Sequence, residues 1–145
     1  MNRDTRLSDV LHALLHMDQA KQRVTSDVLA RSMGTNPAVF RRTMAGLRDV
    51  GLVRSEKGHG GGWQLARPLR EITLLDVYEA LGRPNLFAIG NRSEQAECQV
   101  EKNVNAVMMD TLAEAAAMFA TRFGEITLDQ IAPRHPVSAN VHASR

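Results

Sequence analysis

The sequence predicts a mainly α-helical protein with one small β-hairpin and a long helix near the end of the chain. Aliphatic residues recur at helical spacing in several segments of the 145 residues. Aromatic residues make up only 4% of the sequence, so the core must rest on aliphatic side chains, which suits packed helices better than a β-sandwich. Two short β-like runs flank a glycine-rich segment at residues 58–62, which predicts a single hairpin.

Three helices are predicted in the first third of the chain. The first follows Thr5, which is placed to cap it, and ends near Ala20. A cluster of hydroxyl and carboxyl residues then offers caps for a short second helix. The third helix is expected from about Pro37 to Val50, because Asn36 can cap it and a first-turn proline loses no hydrogen bond. Its apolar face consists of Phe40, Met44, Leu47 and Val50.

A hairpin is predicted directly after the third helix. Residues 52–55 and 63–66 form the β-like runs, and the glycines between them adopt positive φ at little cost. The second and third helices are joined by a tight glycine-containing turn, as in a helix-turn-helix. A hairpin in this position is a wing, so residues 1–82 are expected to form a winged helix-turn-helix domain.

The rest of the chain is expected to contain a short helix capped by Thr73, a loop at 83–99, and a long helix with a last turn at 100–132. The segment 133–145 is expected to be disordered. The long helix carries an apolar stripe that would leave a large exposed patch on a single chain, so we expect it to pack against a second copy. The predicted dimerisation residues are Val104, Val107, Met108, Leu112, Ala115 and Phe119.

Composition narrows the class of protein. The net charge is +2 and the pI about 9.1, a mildly basic balance that is compatible with nucleic acid as a partner. The first six residues lack the apolar run of a signal peptide, and no stretch is long and apolar enough for a membrane span. No nucleophile–base pair, phosphate-binding loop or paired-carboxylate motif is visible. We therefore expect a soluble, cytoplasmic protein that is not an enzyme.

The third helix and the wing carry the residues expected to contact double-stranded DNA. Arg41 and Arg42 lie near the start of the helix, the part of a recognition helix that enters the major groove, where arginine pairs with guanine. Phosphate contacts are expected from Arg54, Lys57, the wing glycines and Arg6. The candidate DNA-binding residues are Thr35, Asn36, Arg41, Arg42, Arg54, Lys57, His59, Gly60, Gly61 and Gly62.

Each of these assignments has a simpler alternative. The arginines could form an ordinary solvated face, and Asn36 could act only as a cap. The wing could be a plain turn, although three consecutive glycines exceed what a turn requires, which favours close approach of the backbone to phosphate. His12 and His16 are four residues apart, but no second histidine pair accompanies them, so a metal site is not expected.

Residues 28–82 resemble the Rrf2 family of bacterial winged-helix regulators. The resemblance rests on Leu47-Arg48-Asp49-Val50-Gly51-Leu52-Val53, on Gly58-His59-Gly60-Gly61-Gly62-Trp63-Gln64-Leu65, and on Glu71-Ile72-Thr73-Leu74-Leu75-Asp76-Val77. It extends more loosely over about 130 residues. The resemblance implies a homodimer joined through the long helix, with the recognition helix and wing of each subunit on one half of a palindromic operator. On this basis we expect a transcriptional repressor.

The resemblance also raises the question of an iron–sulfur cluster. Well-known family members bind one through three cysteines in the loop and the start of the long helix, whereas this sequence contains Cys98 alone. Asp9 and His12 stand where some relatives have a further ligand, but they cannot replace the cysteines. The chain is therefore similar to the cluster-free, YwnA-like branch, and no iron–sulfur cofactor is expected. Arg41 stands where several members carry an acidic or amide side chain, which implies a different sequence preference.

Two other functions remain open at this point. The winged helix could serve as a protein–protein interaction module, or Cys98 could make the regulator a thiol-based redox sensor. The sequence does not identify a small-molecule effector, an operator or a target gene.

Overall fold

A computed structural model describes residues 3–133 of the chain. It contains six α-helices, one 3₁₀ turn and two strands within that range, so the predicted mainly helical fold with one hairpin and a long later helix is confirmed. The predicted disordered tail from residue 134 onward lies outside the described residues. The elements are α1 (Arg6–Ala20), α2 (Ser26–Ser32), α3 (Pro37–Asp49), β1 (Val53–Glu56), β2 (Gly62–Leu65), a 3₁₀ turn (Leu69–Glu71), α4 (Leu74–Ala80), α5 (Gln99–Glu125) and α6 (Leu128–Ile131).

The helix starts follow the cap chemistry of the sequence except at α1 and α6, where the threonine before the helix makes no capping hydrogen bond. The side chain of Thr25 accepts a hydrogen bond from the Val28 amide at the start of α2, and Asn36 accepts one from Ala38 at the start of α3. Thr73 forms a reciprocal capping box at the start of α4. The predicted cap at Thr5 is wrong in its chemistry, because its backbone is already close to helical and its hydroxyl donates to the Asp9 carboxylate instead.

The core lies between α1, α2, α3, the hairpin and α4. The α3 side chains of Phe40, Met44 and Leu47 are buried as predicted, but Val50 is 55% exposed. The reason is that α3 ends at Asp49 and the chain turns at Gly51, whose φ is +78°, so Leu52 enters the core instead.

The hairpin is an antiparallel pair of four-residue strands. Its register pairs Ser55 with Trp63 and Arg54 with Gln64, and each strand is displaced by one residue from its predicted position. Val24, in the segment before α2, adds an isolated β-bridge to Trp63 through two backbone hydrogen bonds of 2.8 and 3.0 Å. The wing is therefore attached to the segment leading into α2 as well as to α3.

The long helix α5 is anchored at its C-terminal end. Phe123 packs edge-on against Tyr78 of α4, with ring centroids 6.1 Å apart. Beyond α5, the backbone of Leu74 donates to Ile126 and that of Leu128 donates to Ile72, both at 2.9 Å. No residue of α5 itself is fully buried. Among the described residues, no helix combines the length and apolarity that crossing a membrane would need.

Candidate nucleic-acid interface

A surface cleft separates the wing from α3 and the start of α2. Arg41 and Arg48 of α3 border it on one side, and Lys57 with Gly61 borders it on the other. The Trp63 side chain also lines this cleft. The structure thus brings together Arg41, Lys57 and the wing glycines Gly61 and Gly62 on one surface, although these residues are up to 21 positions apart in the sequence.

The other candidates on α3 lie in different surroundings. Arg42 is exposed, as Arg41 is, and lies in the first half of the helix. Asn36 uses its Oδ1 atom to accept the Ala38 amide at 2.8 Å, so the cap role is directly visible. Thr35 is half-buried and faces a small depression at the start of α1, beside Arg6 and Met33.

The wing glycines are needed by the hairpin itself. Gly60 has a φ of +74° and Gly62 a φ of +135°, and a Cβ atom on Gly62 would lie 2.7 Å from the Val24 carbonyl oxygen. A Cβ atom on Gly61 would lie 2.4 Å from the Glu56 carbonyl oxygen. The wing backbone therefore requires all three glycines, and the expectation that they exceed the needs of a turn is wrong. Their contact with phosphate stays a prediction that this geometry permits but does not require.

Side-chain alternation divides the wing into two faces. Trp63 and Val53 point into the core, so Arg54 and its partner Gln64 point the opposite way. His59 and Gly60 border a second depression on this outer side, together with Gln64 and Arg23. Arg54 and His59 are consequently not part of the cleft that contains Arg41 and Lys57.

Arg6 is an electrostatically compensated cation. Its guanidinium donates to the Asp4 carboxylate at 2.6 Å, and these side-chain hydrogen bonds lower the pKa of Asp4 below its ordinary value. Its predicted phosphate contact would have to compete with this ion pair.

Sequence reasoning missed the polar residues that fix the wing. The Trp63 Nε1 atom donates to the Ser26 hydroxyl at 2.8 Å, and Arg48 donates to the Ser55 hydroxyl at 3.2 Å. Arg23 pairs with Glu56 at 2.5 Å. The sequence signal for these contacts is weak, because they join residues whose proximity depends on how the hairpin folds back.

The predicted dimerisation stripe of α5 is divided between two adjacent faces. Met108, Leu112 and Ala115 are half-buried by the body of their own chain. Val104 and Val107, in contrast, are 54% and 66% exposed. Phe119 is 38% exposed and stacks on Phe123 with ring centroids 4.2 Å apart. At about 100° of rotation per residue, the centres of the two faces are about 80° apart, a little less than a quarter-turn.

Val100 and Met118 extend the exposed face of α5. They are 72% and 76% exposed and share their side of the helix with Val104 and Val107. The contacts along α5 are thus asymmetric, since its C-terminal end packs on α4 whereas its N-terminal half presents valines outward.

The donor set does not fit an iron–sulfur cluster. The sequence contains one cysteine, and Cys98 is exposed at the start of α5, where its sulfur accepts the Glu101 amide at 3.4 Å. Within residues 3–133, no three His, Cys, Asp or Glu side chains lie close enough together to hold a metal ion. His12 and His16 stack on α1 with ring centroids 5.6 Å apart, without a third such ligand in the same range.

Sequence comparison finds relatives that are described as regulators. YwnA of Bacillus subtilis, provisionally named an HTH-type transcriptional regulator, is 30% identical over 111 residues, which cover 74% of this chain and 80% of YwnA. YwgB of the same organism has the same provisional description and is 35% identical over 65 residues, which cover 44% of this chain and 42% of YwgB.

Solved structures share the fold. A transcriptional regulator from Lactobacillus plantarum, also provisionally described, aligns with a TM-score of 0.73 at 23% identity, covering 88% of this chain and 87% of that one. IscR of T. potens aligns with a TM-score of 0.61 at 22% identity, covering 90% and 85%. CymR of B. subtilis, a global cysteine regulator, has a TM-score of 0.56 at 19% identity, covering 91% and 96%. At these identities the likeness is one of fold.

The sequence pattern of one family covers every residue that the structure describes. It is the Rrf2 family, whose description is "iron-dependent transcriptional regulator", and the match extends over residues 3–134. The match includes the helix-turn-helix, the wing and the long helix. With its winged-helix fold and its relative YwnA, the chain belongs to the Rrf2 family of transcriptional regulators.

Proposed function

We propose that this chain is a homodimeric repressor that binds a pseudo-palindromic operator in double-stranded DNA. The observation that carries the proposal is the cleft that Arg41 shares with Lys57 and with Gly61 and Gly62 of the wing. A helix in the major groove and a hairpin beside it reach a duplex together only if both face the same side of the protein. In this proposal Arg41 and Arg42 read bases, Lys57 contacts phosphate from the cleft, and Arg54 contacts phosphate from the outer face of the wing.

Dimerisation is proposed to use the exposed face of α5. Val100, Val104 and Val107 repeat at intervals of four and three residues, which is the spacing of a helix–helix seam. Their exposure of 54–72% leaves an apolar surface that a second copy would cover. Half-buried Met108, Leu112 and Ala115 would support the helix from within the same chain and contribute at the edge of the seam.

The oligomeric state can be tested with a matched pair of variants. Val107→Glu places a charge in the proposed seam and should shift the protein towards monomer in sedimentation equilibrium. Ala106→Glu adds the same charge at an exposed position on another side of α5 and should remain dimeric. If the two variants have the same oligomeric state, the valine face of α5 is not part of the dimer interface.

DNA binding is best tested by selecting duplexes from a random-sequence pool with the full chain. The selected site should be a pseudo-palindrome, and footprinting upstream of the protein's own gene should find a copy of it. If Lys57 and Arg54 of both subunits neutralise four phosphates, the logarithm of affinity should fall with the logarithm of salt with a slope of about −3.6. Affinity should then drop about 150-fold between 50 and 200 mM salt. A repressor should lower transcription from a promoter that carries the site.

The same experiment separates the competing functions. A protein–protein interaction module would bind random and selected duplexes equally and without a salt slope. A thiol sensor would lose its operator affinity under peroxide through oxidation of Cys98.

We propose that the regulator works without an iron–sulfur cluster and without catalytic activity, since one thiol cannot replace three cluster ligands. We also propose that it acts in the cytoplasm, because the chromosomal DNA of a bacterium such as Bacillus subtilis, the source of its relative YwnA, lies there.

A further inference from the structure

Arg48 links the recognition helix to the wing. It lies in the last turn of α3, and its Nη1 atom donates to the Ser55 hydroxyl on β1 at 3.2 Å. Its guanidinium carbon also lies 5.9 Å from the centre of the Trp63 ring on β2. A guanidinium at this distance from an indole is attracted to the negative face of the ring. One side chain of α3 thus contacts both strands of the hairpin.

The other polar contacts of the wing join it to the segment around the start of α2. Val24 pairs with the backbone of Trp63, Ser26 accepts from the indole nitrogen, and Arg23 pairs with Glu56. All three belong to the segment around the start of α2. They hold the hairpin against α2, but they leave its separation from α3 to be set by other contacts.

Two side chains of α3, besides the backbone hydrogen bond from Leu52 to Leu47 at the turn, contact the wing at Trp63. Phe40 meets the Trp63 ring edge-on, with centroids 6.4 Å apart, inside the core. Arg48 contacts the same Trp63 ring at the surface, where the cleft between α3 and the wing opens. Arg48 therefore forms a hydrogen bond from α3 to the wing across this cleft.

We propose that Arg48 is a positioning residue for DNA recognition, which holds the wing at the distance from α3 at which both engage the duplex. The inference rests on the proposed DNA binding. Arg48 acts here through Ser55 and Trp63 and does not itself neutralise a phosphate. Lysine would be a poor substitute, because its point charge lacks the planar group that donates to Ser55 while lying over the ring.

The first test needs no DNA. Trp63 is the single tryptophan of the sequence, so its fluorescence reports the packing of the wing. Arg48→Ala and Arg48→Lys should both increase quenching of Trp63 by acrylamide, whereas Arg70→Ala, which removes an exposed arginine from the 3₁₀ turn, should leave it unchanged. Unchanged quenching in both Arg48 variants, with native far-UV circular dichroism, would overturn the proposal.

The second test uses a 30-base-pair duplex selected from a random pool and a scrambled duplex as competitor. Loss of the Arg48–Ser55 contact should weaken binding to the selected duplex about fivefold, the equivalent of one net hydrogen bond. Ser55→Ala should produce a loss of similar size without changing any charge. The double variant should bind no more weakly than Arg48→Ala alone, because both changes remove the same contact.

Salt dependence distinguishes positioning from direct phosphate contact. The positioning role predicts that Arg48→Ala keeps the wild-type salt slope. A slope reduced by about 1.8, the value for one phosphate per subunit in a dimer, would overturn the proposal. If the wild-type chain binds selected and scrambled duplexes equally, the proposed DNA function fails, and the quenching of Trp63 still decides whether Arg48 positions the wing.

Discussion

Replacing Gly62 by alanine should push the wing away from Val24, in the segment before α2. A Cβ atom at this position would lie 2.7 Å from the carbonyl oxygen of Val24, and ordinary contact begins at 3.4 Å. The two backbones must therefore move apart by about 0.7 Å, the difference between these distances. The Cβ atom is fixed to the Gly62 backbone, and the oxygen belongs to the Val24 backbone. A side-chain rotation therefore cannot absorb the movement.

The cost of Gly62→Ala follows from what this movement disrupts. The two hydrogen bonds between Val24 and Trp63, of 2.8 and 3.0 Å, would be lost or weakened, at about 1–3 kcal/mol for the pair. The φ of +135° adds backbone strain for any residue with a Cβ atom, about 1–2 kcal/mol. We expect the free energy of unfolding to fall by about 2–5 kcal/mol.

Gly60→Ala is the matched control. Gly60 also has a positive φ, +74°, but a Cβ atom there would meet no atom within 4 Å. Only the backbone strain of about 1–2 kcal/mol should remain. Urea unfolding followed by Trp63 fluorescence and by circular dichroism measures both variants, and Gly62→Ala should also bind the selected duplex more weakly than Gly60→Ala. Equal losses of stability would refute the steric reasoning.

Three further predictions concern single side chains. Arg41→Ala should relax base preference at one position of each half-site by about 1–3 kcal/mol, whereas an equal loss on all duplexes would assign Arg41 to phosphate. Thr73→Ala should lower the free energy of unfolding by about 1 kcal/mol, because the capping box at the start of α4 loses one hydrogen bond; an unchanged urea midpoint would contradict this. Cys98→Ser should keep the cap of α5 and bind DNA as the wild type does, with and without peroxide. If peroxide releases the wild-type protein from DNA but does not release this variant, Cys98 is instead a thiol sensor.

The elements of the DNA-binding domain could be predicted closely from the sequence. Asn36, Pro37 and Gly51 mark the bounds of α3, because caps and turn residues act on backbone groups within a few positions. The buried face of α3 was predicted from spacing for the same reason. The prediction failed at Val50, where the helix had already ended and the next turn redirected the chain.

The apolar stripe of α5 shows where periodicity becomes insufficient. Spacing identified an apolar arc, but it could not tell which part faces α4 and which part faces outward. Phe123 on Tyr78 fixes that choice, and it leaves Val104 and Val107 exposed. The same limit applies to the wing, where Arg54 was grouped with Lys57 by sequence but lies on the opposite face of the hairpin from the cleft.

The sequence by itself determined the order and type of the helices, the hairpin and the family, because these depend on caps, turns and apolar spacing over a few residues. Tertiary structure alone decided which cations share a cleft, why the wing glycines are needed, and that Arg48 reaches Ser55 and Trp63. The physical reason is that such contacts form between distant positions, so they depend on how the hairpin packs against α2 and α3. Local preferences do not contain that information.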